Sequence, residues 1–471
     1  MEEEEFDNTE EQNETLKHSV RRFEEMIKKK DHYFFDVDAL LKIIDYYLDK
    51  NEKNRALEVS KHANELHPQS VNLLLKQAHL FALCDREKQA LETLEQVEKI
   101  QPFDPDIFII RGNIYNNLQE FEKAIANFHQ ALEFSDVKDE LYFNIALACQ
   151  NRLDYAGAVK YLKKCILENP DFEIAYEELA VSYGFSGLTE DGVAFFKHLI
   201  DQSPYSYLAW FNLGDIYSRM SQFENALESF DYALLIKDDY IPALIEQGNA
   251  LAMVDRYEEA IASFKSTFNY STPDATIFYN IGECYENLES MEEARGYYKR
   301  AVKLNPDMAQ AWYGIGTTLE FQQKWFEAIH YIKKAIEFDG INGEYWYTLG
   351  DCEFELNNLE EAEKCYIKVM EYEPENPEIW FTYADFLVDS VRTEEAVELI
   401  AIGVKNHPDN IEMYLRLVSY LYQNGETKEA LHFMETALEK DFEAFPLLFE
   451  INPLLETNQE ILQLIELKRK K

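Results

Sequence analysis

Residues 207–240 read YLAWFNLGDIYSRMSQFENALESFDYALLIKDDY. Trp210, Leu213, Gly214 and Tyr217 stand at i, i+3, i+4 and i+7, the spacing that lays one apolar stripe along a helix. After a short polar break, Phe223, Ala226, Leu227 and Phe230 repeat that spacing, and Ala233 and Leu234 continue it. The stretch predicts two amphipathic helices joined by a tight turn.

The same pattern recurs every 34 residues on both sides. Ala226 is preceded by Ala56, Ala90, Ala124, Ala158 and Gly192, and followed by Ala260, Ala294, Ala328, Ala362, Ala396 and Ala430. A side chain no larger than a methyl group at twelve successive steps implies close approach of two helices. A second small position runs Ala78, Gly112, Ala146, Ala180, Gly214, Gly248, Gly282, Gly316, Gly350 and Ala384, with Ile44 and Val418 at the ends. Four residues before it stand Leu40, Leu74, Phe108, Tyr142, Tyr176, Trp210, Leu244, Phe278, Trp312, Trp346, Trp380 and Tyr414. We expect these large residues to pack against the small ones across the helix pair. Pro68, Pro102, Pro170, Pro204, Pro306, Pro374 and Pro408 close the second helix, where proline stops a helix and turns the chain.

The pattern W-x2-L-G-x2-Y, then A-x3-F-x2-A, then P resembles the tetratricopeptide signature. Trp210, Leu213, Gly214, Tyr217, Ala226, Phe230 and Ala233 match it, with Asp238 in place of the proline. Phe278, Ile281, Gly282, Tyr285, Ala294, Tyr298, Ala301 and Pro306 match it again. Local departures are Gly192 for Ala, Glu353 for the usual aromatic, Pro273 one place late after Thr272, and Phe442 for Pro. Pentatricopeptide repeats run at a different period and are basic, and Sel1-type repeats would lose register. The resemblance implies an all-α fold, a right-handed superhelical α-solenoid of stacked antiparallel helix pairs.

The expected organisation is an acidic disordered N-terminus over 1–14, a capping helix over 15–36, twelve repeats over 37–444, and a C-terminal capping helix with a basic tail over 445–471. In the N-terminal helix, Leu16, Val20, Phe23 and Ile27 form the apolar stripe. In the C-terminal one, Thr457 and Glu460 read as a capping box.

A formal net charge of −44 disfavours nucleic acid and anionic lipid as partners, because phosphate binding requires cations on the protein. Six cysteines without a C-x-x-C pair fit a reducing compartment. The start, MEEEEFDNTEE, lacks the basic and apolar regions of a secretory signal, and no apolar run has the length to span a bilayer. The expected location is cytoplasmic.

No metal-ligating, P-loop or nucleophile-elbow motif is present, and Gly314-x-Gly316 lies in a predicted helix with no strand before it. We therefore expect no enzyme activity and no cofactor. The resemblance implies instead that the first helix of each pair lines an inner groove, entered by the residue after each bulky core position. The candidate groove residues are Phe143, Phe211, Tyr279, Tyr313, Tyr347 and Phe381, with Asn113, Asp215, Asn249, Glu283, Asp351 and Asp385 on the same face. Aromatic platforms alternating with acidic or amide heads suit a protein or peptide partner with apolar anchors and basic residues. A groove built to hold a terminal carboxylate would carry cations, which are scarce at these positions. The function expected is a non-catalytic protein–protein interaction scaffold or adaptor. The alternative is a structural subunit of a larger assembly or homo-oligomer, acting through its convex face or its ends.

Overall fold

The computed structural model describes residues 2–29 and 33–469, with side chains from Thr15 onward. Among them are 27 α-helices, two short 3-10 turns and no strand. The first helices of the repeats begin at Val37, Val71, Pro105, Asp139, Glu173, Tyr207, Ile241, Ala275, Ala309, Gly343, Pro377 and Ile411. These starting points, repeats 1 to 12 below, keep the 34-residue step without a slip. Asp36, Ser206, Asp274, Asn342 and Asn410 cap first helices through their side chains, so a polar residue at the boundary sets where each begins.

The turn within each repeat holds one residue in the left-handed region. These are Asn51, Asp85, Gln119, Leu153, Gly187, Ser221, Asp255, Glu289, Gln323, Asn357, Val391 and Gly425. The next N–H usually bonds the carbonyl five residues back, as in Glu120 to Tyr115 at 2.8 Å and Gln222 to Tyr217 at 2.8 Å. This satisfies a helix C-terminus and reverses the chain. Only Gly187 and Gly425 meet the turn without a side-chain cost, and β-branched Val391 at φ 61° is the costliest occupant.

Large and small side chains do interlock, but not the pairs expected. A Cβ on Gly214 would lie 2.5 Å from the Phe230 ring, and one on Gly282 would lie 2.6 Å from Tyr298. The gap at the small position is thus filled from the second helix of the same repeat. The bulky residue of the first helix reaches backwards instead. Trp210 Nε1 donates to the Pro204 carbonyl at 2.9 Å, Trp312 to Pro306 at 2.8 Å and Trp346 to Gly340 at 2.8 Å. Its ring covers the connection between repeats, and its polar edge ties down a loop carbonyl. Gly192 replaces alanine because Ile216 Cδ1 would meet a Cβ at 2.4 Å.

The chain forms two compact units, Met1–Asp238 and Asp239–Lys471. The first contains repeats 1 to 6 and the second repeats 7 to 12. Within each, helices pack in sequential order onto their neighbours. In repeat 7 the second helix stops at Ser266 and tightens into a 3-10 turn over Thr267–Asn269, ahead of the displaced Pro273. Glu353, standing where an aromatic is usual, is buried and held by Lys333 at 2.9 Å and Asn358 at 2.8 Å.

The ends correct three expectations. The N-terminal helix runs Glu2–Lys29 as one element, taking in residues 2–14 of the stretch expected to be disordered. Glutamate is a good helix former and favours the helix N-terminus. Its buried stripe is Val20, Phe23 and Met26, while Ile27 stays 49% exposed. At the C-terminus, two short elements, Pro446–Ile451 and Pro453–Thr457, precede the helix Gln459–Arg469. Asn458, not Thr457, caps that helix, accepting from the N–H groups of Glu460 at 3.0 Å and Ile461 at 3.2 Å. In the basic tail, Lys468 folds back to Glu435 at 2.8 Å and Glu439 at 2.5 Å, and residues 470–471 lie outside the described residues.

Candidate functional site

The candidate residues separate into three environments. In the first unit, Phe143 is half-buried against Phe172, with ring centroids 5.1 Å apart. Phe211 is half-buried beside Phe230 at 5.9 Å. Asn113 is exposed. Asp215 is neutralised by Arg219, one turn on in its own helix, at 2.8 Å.

Repeats 8 to 10, in the second unit, are different. Tyr279, Tyr313 and Tyr347 are half-buried at equivalent positions. The Tyr279 hydroxyl donates to Glu283 at 2.7 Å, while the hydroxyls of Tyr313 and Tyr347 meet Thr348 at 2.8 Å and Thr382 at 3.3 Å on the following repeat. Around them lie Glu283, Glu286, Glu320 and Asp351. Besides Tyr279 on Glu283, hydroxyls donate to two of them: Tyr298 and Thr317 to Glu286 at 2.5 and 2.7 Å, and Tyr366 to Asp351 at 2.8 Å. Among the described residues none of these four carboxylates forms an ion pair. For Glu283, Glu320 and Asp351 the environment resists ionisation. Glu320 is pushed up first by burial and then by Asp351 and Glu286. Burial also raises Asp351, with Glu355 adding to it against the Tyr366 hydrogen bond. Burial and Glu286 raise Glu283, although the residue keeps an exposed flank. Asn249 completes the set, accepting from Asn280 at 3.2 Å.

At repeats 11 and 12 the wall is closed by the chain itself. Phe381 is only 3% exposed, so it offers no free platform. The Arg416 guanidinium lies 4.4 Å from its ring centroid and bonds Asp385 at 2.8 Å and Glu412 at 2.9 Å. Tyr420 also donates to Asp385. An analogous pair, Lys76 with Asp45 at 2.5 Å, joins repeats 1 and 2. At Asp45 and Asp385 the first-helix acid thus meets the sixth residue of the next first helix, and there that residue is the cation that pairs it. Spacing within one repeat does not reveal this contact; a 31-residue offset between an acid and a cation would have.

Tetratricopeptide repeat models match residues 105–136, 139–172, 207–240, 275–308 and 343–376. Every window opens on an observed first-helix start.

The chain is a tetratricopeptide repeat protein.

Relatives of this tetratricopeptide protein include the TPR repeat-containing protein YpiA of Bacillus subtilis, 23% identical over 180 residues, covering 38% of this chain and 42% of YpiA. Tetratricopeptide repeat protein 16 of Mus musculus is 24% identical over 198 residues, covering 36% of this chain and 26% of the relative. The chain therefore spans less than half the length of these curated relatives. Among solved structures, the crystal structure of YrrB, described as a TPR protein with an unusual peptide-binding site, has a TM-score of 0.34 at 23% identity, covering 40% of this chain and 96% of that one. The Cut9–Hcn1 hetero-tetramer structure has a TM-score of 0.41 at 13% identity, covering 87% of this chain and 94% of that one.

Tetratricopeptide arrays are in general protein-interaction scaffolds without catalysis. No group of three or more His, Cys, Asp or Glu that could hold a metal occurs among the described residues. No helix among them is long and apolar enough to cross a membrane.

Proposed function

We propose that this tetratricopeptide protein is a non-catalytic adaptor that holds a basic, apolar-anchored segment of a partner protein against the first-helix wall of repeats 8 to 10. The observation that carries this reading is the coincidence of three half-buried tyrosines with four carboxylates that form no ion pair among the described residues. Each tyrosine presents a rigid amphipathic surface with little rotamer entropy to lose on binding. Hydroxyl donors hold Glu283, Glu286 and Asp351 in place, and an arriving lysine or arginine would relieve the cost of ionising Glu283, Glu320 and Asp351. The same features disfavour phosphate-bearing ligands.

The test is capture of a partner from extract by the intact chain, followed by titration with the Tyr279→Ala, Tyr313→Ala, Tyr347→Ala triple variant. Removing three contact rings is expected to weaken binding by about a hundredfold or more. Unchanged affinity for a partner that the parent binds stoichiometrically would overturn the reading.

A further inference from the structure

A pocket of about 360 Å³ opens between repeats 7 and 8. The first helix of repeat 7 stops at Ala252, where its neighbour in repeat 8 runs one residue further, to Asn287. Ala252 and Met253 line the opening, with Phe264 and Cys284 completing the apolar part. The polar part is Asn249, Asn280, Glu283, Asn287 and Tyr257. No lysine or arginine lines it.

Part of this lining is already hydrogen-bonded within the chain. Asn280 Nδ2 already donates to Asn249, Asn287 Nδ2 to the Glu283 carbonyl at 2.9 Å, and the Tyr257 hydroxyl to Asp255 at 2.6 Å. Glu283 accepts from Tyr279 through Oε1. What remains is the second oxygen of Glu283, the amide oxygens of Asn280 and Asn287, and one further N–H on each amide; the single charged group of the lining is the Glu283 carboxylate. Several acceptors above an apolar floor call for a ligand with several divergent donors on a hydrocarbon stem. A guanidinium meets that description; an ammonium is a compact, more strongly hydrated point charge.

We propose that this pocket receives an arginine side chain of the partner, its stem against Ala252 and Met253 and its guanidinium on Glu283 and the two asparagines. The inference rests on the functional reading above and adds the residue that anchors the partner beside Tyr279.

The probe is N-acetyl-arginine N-methylamide, titrated into the full chain carrying 13C-labelled methionine methyls, with Met253→Leu assigning the reporter signal. The Met253 methyl is expected to shift saturably. The lysine analogue should bind at least about fivefold more weakly, and the neutral citrulline analogue should leave the signal in place. Glu283→Gln, which keeps an acceptor for Tyr279, should weaken the arginine probe roughly tenfold, while Glu360→Gln on an exposed second helix should not. A Met253 methyl that ignores the arginine probe, or equal weakening by both substitutions, overturns the pocket assignment. If that occurs while the triple tyrosine variant still loses its partner, only the arginine anchor falls and the first-helix wall stands.

Discussion

Repeats 8 to 10 and repeats 11 to 12 present the same register positions and reach opposite electrostatic ends. Asp351 and Asp385 are equivalent residues one repeat apart, as are Tyr347 and Phe381. Beside Asp385 and Phe381 the next first helix supplies Arg416, which covers the ring and pairs the acid. The corresponding residue beside Asp351 and Tyr347 is Thr382, which carries no charge, donates to the Glu378 carbonyl of its own helix and meets the Tyr347 hydroxyl. One side chain per repeat therefore separates a wall that satisfies itself from a wall left acidic and open. The backbone beneath is common to both, and the comparison can be attacked at that backbone or at the single side chain.

Gly282→Val attacks the backbone packing. With the Tyr298 ring 2.6 Å from the added Cβ, overpacking is expected to cost about 1–3 kcal/mol, read in urea unfolding. A cost near zero would mean that the interlock of first and second helices is looser than the geometry indicates. Arg416→Met opens the closed wall. It keeps cover over Phe381, leaves Asp385 with the Tyr420 hydroxyl but no cation and Glu412 without its cation, and we expect a loss of about 1–2 kcal/mol, shrinking at high salt.

Thr382→Arg is the converse. A guanidinium placed where Arg416 stands one repeat later should pair Asp351 and cover Tyr347. Stability should rise by about 0.5 kcal/mol while partner binding weakens about tenfold. Binding that survives the graft would remove the open acids from the functional reading. The smallest effect concerns pH. The folded Glu320 carboxyl is raised by burial and by Asp351 and Glu286, so the native state holds its proton more tightly than the unfolded chain does. Ionising it costs stability as pH climbs from the unfolded value, and the cost is complete above the folded value. Glu320→Gln should therefore raise the melting midpoint by about a degree at neutral pH and converge with the parent below about pH 4. A gain that persists in acid would point to packing rather than charge.

Much of the fold was legible because a 34-residue step cannot arise without a repeated packing unit, and every first-helix start kept to it. The tight turns were legible, but not their left-handed residue. Twelve equivalent positions carry Asn, Asp, Gln, Leu, Gly, Ser, Glu and Val, with no common residue type to betray the conformation. The partners of the bulky residues were misread, since periodicity marks which side chains turn inward and not which neighbour they meet. Trp210 proved to serve the loop before its own repeat, and Phe230 the glycine opposite.

By itself the sequence determined the helix pairs, their register and the row of aromatics and acids along the first helices, because each depends on spacing within a single repeat. Only the tertiary structure decided which acids remain unpaired, that Phe381 is covered, and that a pocket opens where repeat 7 stops one residue early. Those outcomes depend on contacts between successive repeats, where burial and charge act through space between residues far apart along the chain.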